Sequence, residues 1–214
     1  MRQMLSTLGL LPCVLGGHPV SESVFLTAAI AVAKPCLRAY LRAPVKPASG
    51  WSQEQWAGIA APGPGRAPYL DELPAAIEEC DRWIDGDYAT VLRELAHDDE
   101  LMFRFDEASG SLAIDLSCRA DFRLPTLVWA FTVLRGIAEF MADGDHGIVT
   151  ATTDWNEDSI LMRLAPKHAA FLDSDGDARA RAEARNREID IRSAACDADQ
   201  ADSAAETIDW LIDD

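Results

Sequence analysis

Two short runs of alternating apolar and polar residues, 101–105 and 112–116, flank the segment Glu107-Ala108-Ser109-Gly110. Period-two alternation on either side of a glycine-containing loop predicts a β-hairpin. Pro125 then stands at a plausible first helical position, and residues 127–141 are apolar at helical spacing. Asp143-Gly144-Asp145 stops that helix, the β-branched run 148–153 reads as a strand, Asn156-Glu157-Asp158 as a turn, and 160–164 as another strand. A β-β-α-β-β order buries both kinds of apolar face when the helix lies across an antiparallel sheet. The expected fold class is therefore α+β, with helices packed on one face of an antiparallel sheet and an N-terminal helical segment.

The flanks read less regularly. Residues 21–42 carry Phe25, Ala28, Ala29, Val32, Leu37, Tyr40 and Leu41 at near-helical spacing, with Pro35 expected to kink or split the helix. Residues 43–68 hold five prolines and four glycines and read as a connector or arm, in which Ser52 and Gln55 are placed to cap one short helix. Residues 71–96 return to helical periodicity, with Leu73, Ile77, Cys80, Trp83 and Ile84 on one apolar face and a break at Gly86. After Phe171 the apolar density falls. Residues 178–189 suit an exposed helix held by Arg/Glu pairs, and 193–205 suit no regular structure. The expected organisation is an N-terminal helical segment and connector over 1–70, an acidic α+β domain over 71–172, and an acidic tail over 173–214.

Charge separates these parts. The first 70 residues carry six basic side chains against Glu22 and Glu54, whereas residues 71–214 carry 13 basic against 34 acidic, within a chain of net charge −17. Such a balance argues against nucleic acid and anionic membranes, which are bound through Lys and Arg. It favours a basic protein partner, drawn to the last two thirds of the chain. The apolar runs at 4–15 and 24–33 are too short to cross a bilayer, and Gly9 and Pro12 interrupt the first as a signal sequence. Five dispersed cysteines, an odd number with no C-x-x-C pair, read as reduced thiols. A cytoplasmic protein is the expectation.

Motifs for chemistry are sparse. Asp173-Ser174-Asp175-Gly176-Asp177 has its glycine too early for a calcium loop, and Ala184 stands where the bidentate Glu is needed. The four histidines are scattered, no G-x-S-x-G occurs, and Cys118 could form a dyad with His146 or His97 only if the fold joined them. No metal or cofactor is expected. Two acidic groups suit partner binding instead. Asp154, Glu157 and Asp158 surround Trp155, an aromatic ringed by acids, as in a binding hot spot for a basic surface. Glu78, Glu79 and Asp81 lie on the acidic helix and are expected to steer the encounter.

In size, acidity and layout, residues 71–172, with the acidic helix, the β-β-α-β-β core and Asp154-Trp155-Asn156-Glu157-Asp158, resemble the immunity proteins of bacterial polymorphic toxins. That resemblance implies a small cytosolic inhibitor that covers the active site of a cognate toxin. The alternatives are an acidic secretion-type chaperone, which would dimerise, and a small enzyme using carboxylates, which would need a deep pocket with converging polar groups.

Overall fold

The computed structural model describes residues 24–60, 71–97, 101–118, 124–153, 156–172, 178–197 and 203–213. Six strands form one antiparallel sheet: β1 (Val24–Ala31), β2 (Leu101–Asp106), β3 (Ser111–Cys118), β4 (His146–Thr153), β5 (Asn156–Ala165) and β6 (His168–Phe171), in the order β2-β3-β1-β4-β5-β6. The expected hairpin is β2–β3, turning through residues 107–110, with Gly110 at φ +65°. The fold is α+β, as the periodicities require.

The first departure concerns residues 21–42. Their N-terminal half is not helical: Val24–Ala31 is the strand between β3 and β4, pairing Val24 with both Cys118 and Thr153 and Ala31 with both Ser111 and His146. Thr27 is the one polar residue of β1. A helix there would be apolar all round, whereas a strand covered on both faces wants that composition. Helix α1 (Lys34–Leu41) starts only afterwards, and Pro35 opens it from the first turn rather than kinking it. Residues assigned by sequence to an N-terminal segment thus supply a central strand of the sheet.

One face of the sheet carries Leu26, Ala28, Ile30, Leu112, Ile114 and Met162 into the main core. Over it lie α1, α3 (Leu73–Trp83), α4 (Tyr88–His97), α5 (Leu124–Arg135) and α7 (Ala204–Asp213), with a 3-10 turn, Gly136–Glu139, continuing α5. Gly86, at φ +89°, makes the expected break between α3 and α4. The arm at 43–60 is no free connector. It winds through a 3-10 turn (Ala48–Gly50) and α2 (Gln53–Trp56), and it buries Val45, Ala48, Trp51, Trp56 and Ile59. The Ser52–Gln55 capping box forms as expected: Ser52 N donates to Gln55 Oε1 at 2.8 Å, and Gln55 N to Ser52 Oγ at 3.4 Å.

The C-terminal region is the second departure. Helix α6 (Ala178–Asp197) lies across the opposite face of the sheet, against Ala29, Ile148 and Leu161, and buries Ile191 and Ala195. Helices therefore pack on both faces. Residues 193–197 are helical, not irregular, and 204–205 open α7. The α6 interface mixes these apolar contacts with polar ones, which hid it from apolar periodicity. Asp115, Thr27 and Thr150 form one cross-strand row, which Arg192 and Glu188 meet from above. Arg181 donates to the Ser159 carbonyl at 2.8 Å. Helix α7 then returns Ile208 and Leu211 to the main core. Arg38 Nε donates to the Leu211 carbonyl at 2.8 Å and Arg42 to that of Ile212, which satisfies the open C-terminal end of the helix.

Candidate functional site

Helix α3 turns Leu73, Ala76 and Cys80 inward, at i, i+3 and i+7. That choice leaves Glu78 and Arg82 on the outer face and brings Trp83 to the last turn, 48% exposed. The chain leaves the helix at Ile84, whose backbone is extended, and runs through Asp85, Gly86 and Asp87 into α4. An exposed indole at a helix end thus stands among Glu79, Asp85 and their neighbours. Among the described residues no ring or cation packs on Trp83, whereas the other half-exposed tryptophan, Trp210, has Lys34 Nζ 3.9 Å from its ring centroid.

The acids of this stretch divide by what they touch. Asp81 accepts the amide of Ala48 at 2.6 Å and that of Ser49 at 3.4 Å, so it caps the 3-10 turn of the arm. Asp87 accepts the Thr90 amide at 2.7 Å and caps α4. Glu78 forms an exposed ion pair with Arg82 at 2.5 Å, one turn on. Glu79 and Asp85 have no ion-pair partner among the described residues. Of the three steering acids expected from sequence, Asp81 therefore spends its carboxylate on backbone amides, Glu78 is shared with an arginine, and Glu79 keeps its charge.

The second predicted group is placed only in part. Asp154 and Trp155 lie outside the described residues. Glu157 and Asp158 belong to β5 rather than to a turn, because Asn156 already pairs with Thr153. The two acidic groups sit on different layers: Glu78 and Glu79 on a helix packed against α5 and the arm, Glu157 and Asp158 in the sheet.

The Cys118–His146 dyad is excluded by register. Cys118 pairs with Val24 at one end of β1 and His146 with Ala31 at the other. Seven strand residues put the two about 23 Å apart. His97 closes α4, and its side chain lies outside the described set. The acidic run 173–177 also lies outside the described residues. Among the described residues, no three His, Cys, Asp or Glu side chains converge as metal ligands. Cys80 is a packed thiol: burial pushes its pKa up to about 12, against the smaller lowering effect of its contact with Thr132.

One functional feature escaped the sequence reading. Arg135, the last residue of α5, is 1% exposed, with its guanidinium in the corner between Trp51 and Trp56. The signal was present, since Arg135 is the only charge between Leu124 and Ala138. No known protein family, curated protein or solved structure matches the chain.

Proposed function

We propose that the protein is an acidic inhibitor of the immunity type, which binds a basic partner, a cognate toxin, through the Trp83 end of α3. The observation that carries this reading is Trp83 itself, 48% exposed beside Glu79 and Asp85, whose charges no cation neutralises among the described residues. Exposed aromatics flanked by one sign of charge bind by burying the ring, while the surrounding charges speed the encounter. The chain's net charge of −17 extends that field over the whole approach. The toxin assignment rests on the resemblance in size, acidity and layout; the acidic surface supports a basic protein as the partner.

The cytosol is the proposed compartment. Cys36 and Cys80 are free thiols, and no helix among the described residues is long and apolar enough to cross a membrane.

Co-expression tests the proposal. The protein encoded beside this one should arrest growth when expressed alone, and the present chain should restore it. Trp83→Ala combined with Glu79→Lys and Asp85→Lys should abolish rescue while leaving the inhibitor folded. Full rescue by the triple variant would remove this surface from the function.

A further inference from the structure

We propose that Arg135 anchors a buried binding site for a small oxyanion, a carboxylate or phosphate group, received at the unpaired Nε and Nη1 edge of its guanidinium, which Trp51 and Trp56 hold in place. The site is separate from the Trp83 surface, and the proposal does not depend on it.

The geometry is that of a charge prepared for a partner it does not have. The Trp51 and Trp56 rings meet at 90° with centroids 6.0 Å apart, and Arg135 Cζ lies 4.5 Å from one centroid and 4.6 Å from the other. Aromatic faces attract the cation but offer its N–H groups no oxygen. Nε and both hydrogens of Nη1 have no acceptor among the described residues. Nη2 reaches only the Ala169 carbonyl at 3.5 Å, the outer limit of a hydrogen bond. A buried guanidinium is ordinarily matched by a carboxylate, because neither its charge nor its donors tolerate desolvation alone.

Glu139, one turn on along the same helical path, acts on Arg135 only through its field and makes its ion pair elsewhere. It pairs with Lys46 at 3.1 Å, and Lys46 Nζ lies 4.7 Å from the Trp51 centroid. Lys167 donates to the Glu139 backbone carbonyl. Two of the chain's three lysines thus engage Glu139, one its carboxylate and one its backbone carbonyl. Water at the open edge of Arg135 would satisfy donors without answering the charge, whereas an oxyanion does both and can bridge two N–H groups. Burial pushes the Arg135 pKa down to about 10, with Glu139 opposing the shift, so the group is still a cation at neutral pH. Trp51 and Trp56 both ride on the 43–60 arm, so that arm must lift for an anion to enter.

The test uses the full chain with 15N-labelled arginine, titrated with sodium formate, inorganic phosphate or sodium chloride at matched ionic strength. The Arg135 Nε–H resonance is assigned by its loss in Arg135→Lys or, should that variant not fold, by its shift in Trp51→Phe. Saturable movement of this resonance with formate or phosphate, absent with chloride and accompanied by a rise in Tm, is the expected result. The oxyanion that saturates at lower concentration identifies the group the site prefers. A resonance that stays in place, moves without saturating, or moves equally with chloride would overturn the proposal and leave Arg135 as a cationic strut between two tryptophans.

Discussion

Glu188 of α6 accepts the hydroxyl proton of Thr27, 161 residues earlier in the chain, at 2.8 Å, and its second oxygen accepts that of Thr150 at 3.2 Å. Arg185 completes the set at 3.1 Å. This carboxylate couples a helix that reads as a solvated tail to the middle of the sheet. Glu188→Ala would leave Thr150, nearly fully buried, without its acceptor, and should destabilise the protein by about 1–3 kcal/mol in denaturant unfolding. An unchanged unfolding midpoint would mean that the Glu188 carboxylate does not help hold α6 to the sheet.

Helix α7 is held by Ile208 and Leu211 in the core and by Arg38 at its C-terminal carbonyls. Leu211→Ala should cost about 2–5 kcal/mol, as for other fully buried leucines. Truncation after Leu172 removes α6 and α7 together and should produce an insoluble or molten chain, seen as loss of near-ultraviolet circular dichroism. A truncated protein with native spectra would show that the sheet's second face needs no cover.

Asp81 and Glu78 are three residues apart and should behave oppositely. Asp81→Ala removes the cap on the 43–60 arm and should lower stability by about 1 kcal/mol. Glu78→Ala breaks an exposed i,i+4 pair and should change it by less than about 0.5 kcal/mol. Equal effects of the two, measured by urea unfolding, would contradict the division of the acids into capping and surface groups.

These residues also show what the sequence could and could not reveal. The hairpin, the α5 helix and the Gly86 break follow from local periodicity and turn chemistry, and each is present. Strand β1 was missed because an apolar run fits a helix or a doubly covered strand equally well until its neighbours are known. Helix α6 follows from its sequence over 178–189, Arg/Glu pairs included, but it reads as exposed because its packing face mixes Glu188, Arg192 and Arg185, residue types that ordinarily mark solvent, with Ile191 and Ala195. Asp81 was counted as surface charge because a capping role depends on an arm 33 residues away in sequence. Trp83 continues the buried face of Leu73, Ala76 and Cys80, and only its place at the last residue of the helix leaves it exposed, which periodicity does not show.

The Cys80 thiol should be inert in the fold. Its pKa is raised to about 12 from an ordinary 9.0, chiefly by desolvation. A raised folded-state pKa contributes stability that is fully present below about pH 9 and is lost as pH climbs toward 12, because only the unfolded thiol ionises in that window. Peptide mapping after iodoacetamide treatment at pH 8.5 should find Cys80 unmodified in the native protein and modified in urea. Native-state alkylation would contradict its packing.

The central claim is that Trp83 and its acidic neighbours form the contact for a basic partner. It is tested most directly by the binding kinetics of the wild type, Trp83→Ala, and Glu79→Lys with Asp85→Lys, against the neighbouring gene's product at two ionic strengths. Trp83→Ala should raise the dissociation rate about 30-fold, equivalent to about 2 kcal/mol. The double charge reversal should slow association and flatten its salt dependence. Association indifferent to salt, with a dissociation rate unaffected at Trp83, would contradict the account.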